Sequence, residues 1–189
     1  RGAQDDRVLP NILADRAFQY GASVRAQKGW GLDPRGFRLN ADFRGEGAAG
    51  DFEYGRGLLD LTVSHGMPFG TQLAITSLAG GTAGTAPAQR AFQLGGLQTV
   101  RGLRPGTMSG NAFWMGRGEL ALTRRAVKPV LFGDVGWAGD RTNFSTPGRP
   151  MSGVGVGASI LDGMIRFDVA RGLYPQKALR IDLSVEARF

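Results

Sequence analysis

Apolar and polar residues alternate with a period of two along most of this chain, in about nine segments of roughly ten residues each. The last segment is the most demanding. Leu179, Ile181, Leu183, Val185, Ala187 and Phe189 oppose Arg180, Asp182, Ser184, Glu186 and Arg188. One face of that strand is charged and the other has no polar group. A soluble sandwich can place charges toward water, but its strands are usually shorter and switch between inward and outward patterns. Long strands repeating one alternation predict an all-β, antiparallel up-and-down transmembrane β-barrel, with the apolar face on lipid and the polar face lining a lumen.

The earlier segments agree. Phe18, Tyr20, Ala22, Val24 and Ala26 alternate with Gln19, Gly21, Ser23 and Arg25. Phe37, Leu39, Ala41 and Phe43 alternate with Arg38, Asn40, Asp42 and Arg44, and Leu59, Leu61 and Val63 with Asp60, Thr62 and Ser64. A weaker strand covers Gly70 to Leu78. Residues 79–110 then lose the period, which predicts a long loop folded into the lumen from the extracellular side; loops of that length are usually functional or disordered. Five strands follow: Asn111 to Arg124, Lys128 to Ala138, Met151 to Leu161, Met164 to Gly172 and Leu179 to the end, with Asp162-Gly163 as a tight turn. On the second of these, Leu131, Val135 and Trp137 are expected on lipid, with Phe132, Asp134 and Gly136 in the lumen. Nine is an odd count and Arg1 to Asp15 shows no strand, so residues 1–189 read as one barrel domain that is the C-terminal part of a larger barrel.

Composition narrows the alternatives. The 189 residues include no cysteine, so there is no disulfide framework and no thiolate metal site. The mean hydropathy of −0.15 and the lack of a long apolar run exclude a membrane-spanning helix without bearing on a barrel. The net charge is +7, but the arginines fall singly on the polar faces of successive strands. Nucleic-acid binding would want them gathered on one face with stacking aromatics, so no nucleic-acid partner is expected. The chain begins on Arg1 without a signal peptide, as expected of a mature or excised portion of a longer protein.

Two short motifs stand on this strand map. Phe92-Gln93-Leu94-Gly95-Gly96 leads into Val100-Arg101-Gly102 within the long loop, and Phe132-x-Asp134-x-Gly136 lies on a strand two elements later. With the glycine-rich strand from Gly153 to Ser159 and the terminal aromatic Phe189, this order resembles the outer membrane protein 85 superfamily. That superfamily includes the BamA and TamA assembly factors and the FhaC-type two-partner secretion transporters. The resemblance covers about Ala17 to Phe189. It implies a sixteen-stranded barrel in the outer membrane of a Gram-negative-type bacterium, a bacterial surface antigen domain. Such a barrel inserts or translocates client proteins, with periplasmic domains upstream and lipid around it. Phe189 would be the barrel recognition signal. One position departs from the pattern: Leu103 follows Arg-Gly where the family usually has Tyr or Phe, which puts a stacking role there in doubt.

The physics of the motifs is independent of the resemblance. Asp134 is expected in a confined interior where an unpaired carboxylate would be costly. Arg101, on an in-folded loop, would satisfy it with bidentate geometry and latch the loop. Gly153, Gly155 and Gly157 would leave a bare wall for the loop. An Arg101→Asp, Asp134→Arg swap is expected to recover part of the function lost on Arg101→Ala. Glu119, Arg117, Arg166 and Asp168 are further lumenal charges that could join, although lumenal solvation alone would account for each. No enzyme is indicated. Ser64 and His65 are adjacent and so point to opposite faces of a strand, and no nucleophile elbow, metal-binding His motif, dinucleotide fingerprint or cofactor site is present. A passive porin, a barrel anchoring an upstream domain and a soluble β-sandwich adhesin are the rival readings.

Overall fold

The structure, a computed structural model, describes residues 18–33, 35–123, 126–160 and 164–185. The expectations for Arg1 to Asp15, Asp162-Gly163 and Phe189 lie outside these residues. The strands are β1 (Gln19–Trp30), β2 (Phe37–Gly50), β3 (Glu53–Met67), β4 (Thr71–Thr85), β5 (Phe92–Leu94), β6 (Met108–Gly110), β7 (Ala112–Leu122), β8 (Val127–Gly139), β9 (Met151–Ile160), β10 (Ile165–Tyr174) and β11 (Leu179–Val185). Nine of them form one antiparallel sheet in the order β1-β2-β3-β4-β7-β8-β9-β10-β11, and β5 and β6 pair apart from it. Each neighbour in the large sheet is the next long strand along the chain, which is up-and-down topology. At one end Trp30, Met67, Leu122 and Ile160 finish strands, and Phe37, Thr71, Val127 and Ile165 begin the next ones. At the other end, the connections 51–52 and 175–178 are short, while 86–111 and 140–150 are long.

The register carries one set of side chains across the whole sheet, because directly opposed residues share a face. Arg25 pairs with Arg44 and Asp42 with Asp60; further on, Thr76 pairs with Arg117, Arg117 with Asp134, Asp134 with Gly153, Gly157 with Asp168, and Asp168 with Asp182. This is the inner face, and the residues between them form the outer face. Outer side chains lie open: Leu131 is 58% exposed, Ile181 64% and Val185 70%. Burying one such side chain is worth about 1.5–3 kcal/mol, so a face built of them demands an apolar surrounding.

The inner face is not uniformly polar. Phe92, Leu94, Val100 and Leu103 from the long loop pack with Phe113, Met115, Ala138 and Met151, and Leu58, Leu78 and Met108 border them. This cluster is the buried core, and it sits between the loop and the inner face.

Two expectations are corrected. The non-periodic stretch does not begin at residue 79: β4 runs to Thr85, and the loop contains the β5–β6 ribbon. The alternation fades because β4 meets the loop with glycine. A Cβ on Gly80 would lie 2.7 Å from the Phe113 ring and 3.1 Å from that of Phe92, so the apolar groups of this region come from elsewhere in the chain. Glycines likewise mask the ends of β2 and β3, which the sequence pattern makes too short. The second correction concerns Trp137. It falls in the outer row, but it is only 5% exposed, with Phe144 of the following connection edge-on to it at 6.2 Å. Asp140 starts that connection. The Thr142 backbone N–H, then its hydroxyl, donate to the Asp140 carboxylate and hold its pKa below the usual range.

Spin labels on single cysteines test the two faces in the full-length protein in lipid. A label at Ile75 should be relaxed by oxygen dissolved in the bilayer, and one at Thr76 by a water-soluble nickel complex. Equal accessibility at the two positions would contradict the face assignment.

Candidate functional site

Three inner-face strands and one loop supply the site. β7 contributes Arg117 and Glu119, β8 contributes Phe132, Asp134 and Gly136, and β10 contributes Arg166 and Asp168. Alternation on β8 puts Phe132, Asp134 and Gly136 under the loop, and Phe132 and Asp134 are 3% and 4% exposed. The loop presents Val100, Arg101 and Gly102 from the end of a self-bonded turn. The Gly95 N–H donates to Thr99 Oγ1 at 2.7 Å, the Thr99 hydroxyl donates back to the Gly95 carbonyl, and the Gly96 N–H donates to the Val100 carbonyl. Gly95 and Gly96 have φ of +114° and +86°, a region that favours glycine.

Arg101 is 1% exposed and uses its whole guanidinium. Its Nε and Nη2 donate to the two Asp134 oxygens at 2.7 and 2.8 Å, and its own backbone N–H donates to Asp134 Oδ2 at 3.0 Å. Nη1 donates to Glu119 Oε1 at 2.7 Å and to Asp168 Oδ2 at 3.5 Å. The guanidinium carbon sits 3.5 Å from the Phe132 ring centroid, so the aromatic face covers the side of the cation that no carboxylate reaches. Burial pulls the Arg101 pKa down, but Asp134 and Glu119 together raise it above the ordinary value, and the charge is kept.

The surrounding charges join this pair. Arg117 Nε donates to Asp134 Oδ1 at 3.1 Å, while its Nη2 donates to the loop carbonyls of Leu97 and Thr99 at 3.1 and 2.9 Å. Arg166 Nε donates to both oxygens of Asp168, and its Nη2 donates to Glu119 Oε1 at 2.7 Å. Three guanidinium groups thus meet three carboxylates, and the cluster is neutral. Glu119 and Asp168 stand on strands three apart, about 14 Å along a sheet. Arg166 closes that gap by passing over β9, whose inner row is Gly153, Gly155 and Gly157.

These glycines do not all serve the loop. A Cβ on Gly153 would overlap the Arg101 carbonyl oxygen, so this position does take the loop backbone. On Gly155 it would strike the Phe132 ring, and on Gly157 the Asp168 carboxylate. The latter two make room for the ring and the acid that hold the arginine. Gly136 leaves space for Leu94, whose methyl group would lie 2.8 Å from an added Cβ. Gly102 has a φ of +83°, and its Cβ would overlap the backbone nitrogen of Gly172. Leu103 is 1% exposed in the apolar cluster and packs toward Gly172, so that position packs and does not stack.

Sequence reasoning missed the second attachment of the loop. Arg90, just before β5, lies 3.5 Å from Glu46 of β2, and the Arg56 guanidinium of β3 lies 4.2 Å from the centre of the Phe92 ring. The loop is therefore pinned to β2 and β3 at its start and to β7, β8 and β10 at Arg101. The spacing Phe92-x-Leu94 was a legible sign that part of the loop is a strand with one apolar face.

Each of the three carboxylates accepts from at least two of the three guanidinium groups, and Asp134 also from a loop backbone N–H. Among the described residues no group of His, Cys, Asp and Glu side chains could hold a metal ion. What the cluster can do is fix a loop in one place. Buried ion pairs contribute little net stability, but removing one partner typically costs about 3–5 kcal/mol.

The family model described as haemolysin secretion/activation protein ShlB/FhaC/HecB matches residues 10–160. Among solved structures, CdiB from Acinetobacter baumannii superposes with a TM-score of 0.70 at 19% identity, over 87% of this chain and 32% of CdiB, a likeness that shows the fold. The chain thus spans about a third of the length of that protein. No curated protein matches the sequence in a direct search.

Two substitutions probe the cluster. The charge swap expected from sequence to recover function should fail, because Asp at 101 would face Glu119 and Asp168 while Arg at 134 would face Arg117. In a thermal melt of the full-length protein in detergent, the double variant should be no more stable than Arg101→Ala. Arg117→Lys keeps the charge but cannot hold Asp134 and two carbonyls at once. It should increase proteolysis between Leu97 and Thr99 several-fold while the folded, detergent-resistant form persists.

Proposed function

Because the chain belongs to the ShlB/FhaC/HecB family of haemolysin secretion/activation proteins, we propose that it is part of an outer-membrane β-barrel that moves a secreted client protein across the outer membrane of a Gram-negative-type bacterium. The family match over residues 10–160 carries this reading. The largely apolar outer face supports it, since a lipid environment is where such a face is stable.

In this reading the outer face meets lipid and the inner face lines a lumen. The end bearing the long connections 86–111 and 140–150 is extracellular, as in barrels with short periplasmic turns. β1 and β11 are sheet edges, and polar atoms of Gln19, Arg180 and Asp182 on them are buried without a hydrogen-bond partner. Both features suit strands that continue into a sixteen-stranded barrel, with Phe189 as its C-terminal recognition signal and periplasmic domains upstream to receive the client.

The mechanism is positional. Val100, Arg101 and Gly102 latch onto Phe132, Asp134 and Gly136, and the apolar cluster seals the loop against β7 to β9. The loop thereby takes up one side of the lumen. The client passes along the part of β1 to β3 that lies beyond the loop's attachment at Glu46 and Arg56, where Arg25, Asn40, Asp42, Arg44 and Thr62 keep the wall wet. Arg25 and Arg44 both bond Asp42, at 2.6 and 2.9 Å, yet their side chains remain 56% and 55% exposed, free to move with a passing chain.

Secretion assays on the full-length protein test this reading. Arg101→Ala should lower the rate of client release about tenfold or more, consistent with the loss of at least 1.4 kcal/mol of loop positioning, while the barrel still reaches the outer membrane. Unchanged release from a variant that is correctly inserted would overturn the latch. Ion conductance with no client dependence would point to a passive pore, and activity residing wholly in an upstream domain would point to an anchor.

A further inference from the structure

The outer faces of β9, β10 and β11 are Val, Ile, Leu, Phe, Ala and Ser, with Tyr174 at the rim and one charged exception among the described residues, Arg171. Its facing is fixed by register. It opposes Leu179 on β11 and Val154 on β9, which are 69% and 44% exposed on the outer side. Arg171 is itself exposed and has neither an ion pair nor a side-chain hydrogen bond among the described residues.

An arginine directed at lipid is strongly unfavourable at the bilayer midplane and nearly tolerated near the interface. Arg171 is level with the first residue of β11 and the fourth of β9, so its long side chain can snorkel to the headgroups at that rim. More cations wait there. Tyr174 lies three residues further along β10, and the guanidinium of Arg149 stacks on its ring at 4.3 Å from the centroid. A stacked guanidinium keeps its in-plane N–H donors free, and Arg149 has no carboxylate partner among the described residues. Lys177, exposed in the next connection, adds a third positive charge. No described carboxylate stands on the outer faces of these three strands.

This rim is at the end with the long connections, which the outer-membrane reading makes the cell surface. The inference rests on that reading for its sidedness. We propose that Arg171, Arg149, Lys177 and Tyr174 form a binding site for the phosphate groups of an outer-leaflet glycolipid. Guanidinium forks match phosphate oxygens bidentately, the Tyr174 hydroxyl can donate to a third oxygen, and the apolar neighbours Leu173 and Leu179 flank the acyl chains below.

The test uses the full-length protein in detergent and bis-phosphorylated lipid A as the probe, with bound lipid counted by native mass spectrometry. Arg171→Leu suits the outer face and should fold normally, with affinity falling about tenfold; Arg149→Gln should also weaken binding. Lys28→Leu removes an outer-face cation at the opposite rim, beside Trp30, and should change nothing. Dephosphorylated lipid A should bind weakly to all forms. Binding by Arg171→Leu within about twofold of the parent, an equal loss on Lys28→Leu, or full competition by phosphatidylglycerol would each overturn the proposal. If Arg171→Leu is not recovered folded, Arg149→Gln, in a connection outside the sheet, carries the same decision. Failure of the outer-membrane reading would show separately, as absence of the parent protein from the outer-membrane fraction.

Discussion

The structure depends on one carboxylate being fully satisfied. Asp134 accepts two bonds from the Arg101 guanidinium, one from the Arg101 backbone and one from Arg117. With 0% of its side chain exposed, it has no water to bond, and an oxygen left unmatched there would be costly. Because a backbone N–H is among the donors, the acid fixes the position of the main chain as well as a flexible side chain. Glu119 and Asp168 take the remaining donors, and the six charges cancel. Such a cluster adds modest stability and much specificity of placement, since a loop shifted by one residue would leave several buried charges unmatched.

Charge sets the place, and apolar packing keeps it closed. Leu94, Val100 and Leu103 are nearly inaccessible to solvent, and they are loop residues facing a wall whose alternation alone would class it as polar. The loop therefore behaves as part of the core, with Phe113, Met115 and Met151 as its counterparts on the strands. A segment held by both kinds of force, and also by Arg56 and Glu46 on the far side, is a fixed partition of the interior.

Much of this was legible in the sequence, and the gaps have physical causes. The long strands announced themselves because alternation reports two different surroundings. The pairing of Arg101 with Asp134 could be anticipated from a loop arginine and an inward acid. What alternation could not reveal is where the inner surroundings change from water to protein. Gly80, Gly136 and Gly153 look like weak strand residues, yet each marks a place where another part of the chain comes close. Trp137 misled for the same reason, since its outward position says nothing of the connection that covers it. That Arg117 and Arg166 could join the cluster was legible, but the reach of Arg166 to Glu119 was not, because it needs the distance across two strands and the bare glycine row between them.

The order of residues in the latch has a consequence for how the molecule comes together. The partners of Arg101 are all downstream of it: Glu119 by 18 residues, Asp134 by 33 and Asp168 by 67. A chain made from its N-terminus therefore produces the arginine well before any of its acids, and the last acid belongs to β10. Arg101 cannot meet Asp134 until β8 is in place, nor its full set of acids until β10 is. The cluster is thus a completion signal: the loop seats only when the strands that follow it are in register, so a barrel that has mispaired late in its assembly is left with an unseated loop and an unburied charge.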